Sequence, residues 1–172
     1  MCKHSNKKRD IIMKILVLVF FLLWNAASFS VESKPYLTLE MATTMAEACE
    51  KLAEDSKWRP INIAIYDDGA NLKLFRRQDN SFLHSIEIAH LKAKSSAGLP
   101  YSTRALGELA YQDPNRPHGI QHVPGLVVFP GGLPIITESK VQIGGIGVSG
   151  ATGDQDEECA QIAINSISRF LK

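Results

Sequence analysis

Histidines are the residues of this sequence with the clearest chemical potential. Beyond residue 30 the chain has four of them, at positions 84, 90, 118 and 122, and neutral imidazole is a common metal ligand and acid–base group. His118 and His122 have the spacing of a helical metal pair, but the prolines and glycines around them exclude a helix. Each therefore either ligates from an ordered loop or is a solvated loop histidine.

The other two histidines fall on a predicted helix that begins at Ser81 and ends at Gly98. His90 lies beside the apolar side of this helix, and we interpret it as a half-buried core residue. His84 lies on the opposite side together with Ile88 and Leu91. A helix that is apolar on two sides is covered on both, here by the sheet and by either a second subunit or a ligand.

Patterns typical of catalysis are otherwise weak. Asp67 and Asp68 are adjacent carboxylates, but they precede Gly69 and predict a hairpin turn. There is no GxSxG elbow and no HExxH motif. Cys49 and Cys159 lie on the core-facing sides of two predicted helices. They either form a disulfide or are two separate buried thiols. We therefore assign no enzymatic activity.

A glycine-rich segment, "GGIGVSGATGDQDEECA", resembles a phosphate-binding turn at first sight. No lysine follows the glycines, as a P-loop requires, and the acids that follow would repel an anion. We expect Asp154 to cap a last helix that runs from Gln155 to the C-terminus. The glycines then provide close helix–strand packing and positive φ angles, so the segment is predicted to be structural.

The N-terminus has the pattern of an export signal over residues 1–30, with a possible true start at Met13. A basic head precedes a short apolar run and a small-residue exit. The predicted mature domain, residues 31–172, retains 14 of the 19 basic and 17 of the 18 acidic residues. This mildly acidic balance disfavours nucleic-acid binding. We expect a periplasmic or secreted protein with no stable membrane span once the signal is removed.

The remaining elements predict an α+β domain. A helix follows Thr38 and ends near Lys57, a hairpin covers 61–66 and 71–76, and a short helix covers Arg104 to Tyr111. Residues 112–125 are irregular. Three short β runs, "LVVF", "LPIIT" and "QIGGIGV", follow. Five strands in hairpin-like groups with flanking helices indicate a largely antiparallel sheet.

The segments "PGLVVFPGGLPI" and "IGGIGVSGATGDQDEECA", with "INIAIYDDGANLKLFRRQDN" and "SIEIAHLKAKSSA", strongly resemble the GlcG/HbpS-like family. That family includes the C-terminal domain of PduO-type proteins. The resemblance implies a profilin-like, three-layer α/β/α fold with a five-stranded antiparallel sheet. It also implies self-association and, as in several members, binding of haem or a related tetrapyrrole.

A haem site needs an apolar slot, an axial donor to iron and cations for the propionates. The axial candidates are His122, His118 and His84, with His122 or His118 foremost as the iron ligand. The cationic candidates are Arg77, Lys92 and Arg104. We expect an exported, homo-oligomeric protein that binds a tetrapyrrole for capture, storage or sensing. Two alternatives are an enzyme or accessory acting on a small, glycolate-type organic acid, and a structural oligomer without a ligand.

Overall fold

The computed structural model describes residues 13–14, 33–113, 115 and 119–172. The predicted export signal lies outside these residues except for the helical Met13 and Lys14, and so does His118. The chain divides into two units, Met1–Lys34 and Pro35–Lys172. Within the described residues, no helix has the length and apolar character needed to cross a bilayer.

All the elements that follow belong to the second unit. In chain order they are α1 (Leu39–Asp55), β1 (Asn62–Asp67), β2 (Leu72–Arg77), α2 (Leu83–Gly98), α3 (Thr103–Tyr111), a 3-10 turn (Ile120–His122), β3 (Gly132–Ile136), β4 (Gln142–Ser149), α4 (Gly153–Ser166) and a second 3-10 turn (Ser168–Phe170).

Local sequence signals account for several of these boundaries. The Thr38 side chain accepts a hydrogen bond from the Met41 backbone N–H and begins α1. Ser102 caps α3 in the same way. In the hairpin, Asp67 Oδ1 accepts the backbone N–H groups of Gly69 and Asn71, both at 2.9 Å. These bonds, that of Asn71 foremost, lower the pKa of Asp67, so its carboxylate serves the turn as predicted.

The described residues form one four-stranded antiparallel sheet in the order β2-β1-β4-β3. The prediction of a fifth strand at Leu126–Phe129 is wrong, because this segment pairs with no strand. Instead, the Val127 N–H donates to Ser95 Oγ of α2 at 2.9 Å. The Val128 carbonyl lies directly against Gly107 of α3. The segment is apolar because Val127 is buried against helices. A short apolar run has the same pattern whether it pairs as a strand or packs against helices.

Helices cover both faces of the sheet. The larger core lies between the sheet and the pair α1 and α4, and a disulfide joins Cys49 of α1 to Cys159 of α4. On the other face α2 packs through its alanines, Ala89, Ala93 and Ala97. It comes very close to β4, since a Cβ at Gly147 would overlap the backbone of Ala89 and Ala93. Close packing therefore explains the glycines of β4.

The last helix begins earlier than expected. Thr152, not Asp154, is its N-cap, and Thr152 and Gln155 form a reciprocal capping box. The helix ends at Ser166 and does not run to the C-terminus. This shift places Asp156 on the inner side of the first turn, where it is 3% exposed.

Candidate functional site

An open groove of about 580 Å³ lies between the N-terminal half of α2 and the turn from β4 into α4. We call it groove A. Its walls are mainly apolar and include Phe82, Leu83, Ile88 and Phe129. Leu83 and Phe129 are 73% and 46% exposed, so the groove offers apolar surface that the rest of the fold leaves open. Such a concave, mostly apolar surface with few polar groups is typical of a small-molecule site.

A buried ion pair lies at the base of groove A. Lys92 Nζ is 2.9 Å from Asp156 Oδ2 and donates to the Val148 carbonyl at 2.8 Å. The side chains of Lys92 and Asp156 are 1% and 4% exposed. Asp156 Oδ1 also accepts the Ala151 backbone N–H at 3.1 Å. Both charges therefore have hydrogen-bonding partners, as buried charges require.

Glycines make room for this pair. Gly131 has a φ of +119°, and a Cβ there would lie 2.5 Å from Lys92 Nζ and 2.8 Å from the Asp156 side chain. A Cβ at Gly147 would lie 2.9 Å from the Cβ of Lys92. The glycines of the turn at residues 130–132, which we call the PGG turn, and of β4 thus allow a lysine from α2 to reach a carboxylate on α4.

Burial dominates the proton affinities of the pair. Desolvation lowers the pKa of Lys92 although Asp156 attracts its ammonium. Desolvation likewise raises the pKa of Asp156 against the attraction of Lys92. Both directions bring the neutral amine and the neutral acid closer in free energy to the ion pair.

A histidine lines groove A, and an arginine lies beside one of its aromatic walls. His84 is exposed and lines the groove. Among the described residues, no side chain or backbone group hydrogen-bonds its imidazole. Arg59, also exposed, has its guanidinium carbon 5.7 Å from the Phe82 ring centroid. Sequence reasoning missed Arg59 because it precedes Pro60 in a linker, where no periodicity marks its neighbours.

The structure separates the predicted site residues. His84 and Lys92 line groove A together. Arg104 is held on the surface of α4 by Asp154 and Glu157, each at 2.5 Å, which raise its pKa. Its guanidinium is thus engaged outside the groove.

Arg77 and His122 lie elsewhere. Arg77 lines a polar groove of about 510 Å³ beside the end of α1 and donates to Ser81 Oγ at 3.3 Å. His122 is exposed at the end of its 3-10 turn, next to Val123. Val123 lines a third groove of about 620 Å³, between α2 and the segment 120–126, which we call groove B.

His90 has a structural environment, as predicted. Its Nδ1 is 2.9 Å from the Tyr66 hydroxyl, and its ring stacks on Phe75 with 4.5 Å between centroids. Burial lowers the pKa of His90. Within the described residues, no three His, Cys, Asp or Glu side chains gather as a metal site would require. Cys49 and Cys159 are bonded to each other and offer no thiol.

This chain is similar to a known protein family and to a curated bacterial protein. A family model described as haem degrading protein HbpS-like matches residues 37–165. A curated relative, the uncharacterized 15.0 kDa protein in the dhaT-dhaS intergenic region of Citrobacter freundii, is 35% identical over 136 residues. That alignment covers 78% of this chain and 94% of the relative.

Two solved structures share the fold closely. The PduOC:Heme complex is 27% identical with a TM-score of 0.70, covering 77% of this chain and 95% of that one. HbpS is 30% identical with a TM-score of 0.69, covering 81% and 96%.

Proposed function

The chain belongs to the HbpS-like family, and from that premise we propose that it binds haem or a related tetrapyrrole in groove A. One observation carries the assignment to this groove: the His84 imidazole lines an open apolar wall and has no partner among the described residues. A relative of the same fold has been crystallised with haem.

The residues of groove A fit a haem. Phe82, Leu83 and Phe129 offer apolar surface for a flat macrocycle. His84 would supply the axial nitrogen, and a bound haem would supply the redox and ligand chemistry of its iron. Arg59 would pair with a propionate, since guanidinium groups bind carboxylates bidentately.

Lys92 suits a propionate less well than predicted, because its ammonium is already paired with Asp156. This pairing also weakens the case for a small organic acid as the ligand, since the cation at the base of groove A has its carboxylate. Arg77 lines a different groove, and Arg104 is paired with Asp154 and Glu157. We therefore pursue the tetrapyrrole and not the acid.

Export, self-association and a role in capture, storage or sensing are part of the proposal. The Cys49–Cys159 bond supports export, because disulfides persist in oxidising compartments and are rare in the cytosol. Leu83 on α2 is exposed, and exposed apolar surface is often buried by association with another protein. This exposure supports self-association. A discrete multimer in light scattering, without any response to haemin, would favour the ligand-free structural oligomer instead.

Haemin titration of the purified protein tests the function. We expect a shifted Soret band in the wild type and its loss in His84→Ala. His122→Ala and His118→Ala are the matched comparisons and should titrate like the wild type. If either of these loses the shift while His84→Ala keeps it, the iron ligand is His118 or His122 and the assignment to groove A is wrong. If the wild type shows no shift, haem binding itself is refuted.

A second pair of variants tests the propionate partner. Arg59→Ala removes a charge-assisted hydrogen bond of about 1.5–3 kcal/mol, so the dissociation constant for haemin should rise about tenfold or more. Arg77→Ala removes an exposed arginine from a different groove and should leave it unchanged. Equal effects of the two substitutions would indicate general charge attraction and would contradict a specific contact.

A further inference from the structure

The base of groove A contains a nucleophile that tetrapyrrole binding does not use. Among the described residues, Lys92 is the largest with a fully buried side chain. Its Nζ lies 2.9 Å from Asp156 Oδ2 and 5.2 Å from the centroid of the Phe129 ring. Phe129 is 46% exposed and belongs to the irregular segment before the PGG turn, so the ring next to this amine also faces the open groove.

Stability alone does not account for such a pair. Moving two charges out of water costs several kcal/mol per ion, and apolar replacements of buried ion pairs are often neutral or stabilising. Here α2, the PGG turn, β4 and α4 all adjust to the pair, through Gly131, Gly147 and the Val148 carbonyl. Desolvation of a lysine under an apolar groove favours the neutral amine, which is the nucleophile, and the adjacent carboxylate can take its proton.

We propose that Lys92 is a carbonyl-reactive lysine that forms an imine with a small aldehyde or ketone bound in groove A, with Asp156 as its proton carrier. This activity goes beyond the proposed function. The groove's lining favours a short, mainly apolar carbonyl compound as the substrate, since Phe82, Ile88 and Phe129 line the same groove as Lys92.

The reaction balances without any redox partner. The Lys92 ammonium gives a proton to Asp156, and the neutral amine attacks the carbonyl carbon while the C=O π electrons move to oxygen. A proton passes from nitrogen to that oxygen, giving a carbinolamine. Asp156 then protonates the hydroxyl, which leaves as water, and the iminium that remains is paired with the Asp156 carboxylate. The net change is ammonium plus carbonyl to iminium plus water.

The directions of the proton affinities agree with this sequence. Burial lowers the pKa of Lys92 and raises the pKa of Asp156. Each unit by which the pKa of an amine falls toward neutrality gives about tenfold more free amine at pH 7. Lys94 lies on the same helix beside Tyr66 and pairs with no carboxylate of the described residues, so it serves as an internal reference.

Reductive trapping tests the proposal. The folded, haem-free protein is incubated at neutral pH with butyraldehyde and cyanoborohydride, which reduces an imine to a stable secondary amine, and the modified lysines are identified by peptide mass spectrometry. We expect Lys92 to acquire the butyl group about tenfold faster than Lys94. Phe129→Ala should accelerate modification of Lys92 and leave that of Lys94 unchanged.

Two variants separate chemistry from folding. Asp156→Asn retains an acceptor for the Ala151 N–H and should slow trapping at Lys92 while the circular dichroism spectrum is unchanged. Lys92→Met/Asp156→Asn should be folded and lose the fast site. If the wild type is modified at Lys94 while Lys92 stays unmodified, also in Phe129→Ala, the proposal is wrong.

The two proposals fail separately. Trapping is measured without haemin, and the Soret shift is measured in Lys92→Met/Asp156→Asn, which retains His84. Absence of trapping with a normal Soret shift would overturn only the reactive lysine. Trapping without any haemin response would overturn only the tetrapyrrole assignment. If both hold, haemin should slow trapping, because both ligands occupy groove A.

Discussion

Removal of the Cys49–Cys159 disulfide should strongly destabilise the second unit. The bond joins residues 110 positions apart. For a loop of that length the chain-entropy relation gives about 5 kcal/mol of stabilisation through restriction of the unfolded chain. Both cysteines are 0% exposed, so replacement by alanine also leaves a small cavity between α1 and α4.

Measured effects of removing native disulfides are about 2–5 kcal/mol, and we expect a loss of about 3–5 kcal/mol for Cys49→Ala/Cys159→Ala. That is a large part of the about 5–15 kcal/mol by which domains are stable. Urea denaturation followed by circular dichroism measures it. An entropic origin also predicts a larger denaturant dependence in the variant, because its unfolded chain exposes more surface.

Two controls belong to this experiment. Wild-type protein that is reduced in denaturant and refolded in reductant should have the same urea midpoint as the double variant. A peptide map of the wild type without reductant should show Cys49 linked to Cys159. A loss of less than about 1 kcal/mol, with an unchanged denaturant dependence, would refute the loop-closure argument.

Three further predictions concern packing and charge. Gly147→Ala should destabilise the fold by about 1–3 kcal/mol in urea denaturation, because its Cβ would overlap the α2 backbone. Gly98→Ala is the control: its Cβ would meet no atom within 4 Å, so the substitution should be neutral or slightly stabilising. The pKa of His90 is lowered from 6.5 in the folded state, so the unfolded state binds more protons and stability should fall as the pH drops below 6.5. His90→Gln should make stability depend less on pH in this range. A steeper dependence in the variant would contradict the argument. Asp156→Ala should lower the free energy of unfolding by about 3–5 kcal/mol, because it leaves Lys92 buried without its carboxylate. Lys92→Met/Asp156→Asn should lower it much less. Equal losses would show that the two charges do not interact.

The sequence predicted the elements that depend on local chemistry. Thr38 and Ser102 cap their helices as expected because a cap is formed within four residues of chain. The hairpin turn at Asp67 was equally local. The start of α4 was misplaced because Thr152 and Asp154 are both good caps, and only the geometry of the preceding turn selects Thr152.

Family membership and the outer arrangement of helices around an antiparallel sheet were thus accessible from residues alone, and so was the structural purpose of the β4 glycines. The missing fifth strand was not, because strand identity depends on a partner that the segment 126–129 does not meet. Nor was the pairing of Lys92 with Asp156, which are 64 residues apart. From the sequence, Lys92 was a candidate cation for a propionate, and Asp156 was one of the acids that follow the glycines. Only the packing of α2 against β4, which brings Lys92 to Asp156 at the start of α4, removes water from both groups. This loss of water changes a surface lysine into a buried amine at the base of groove A.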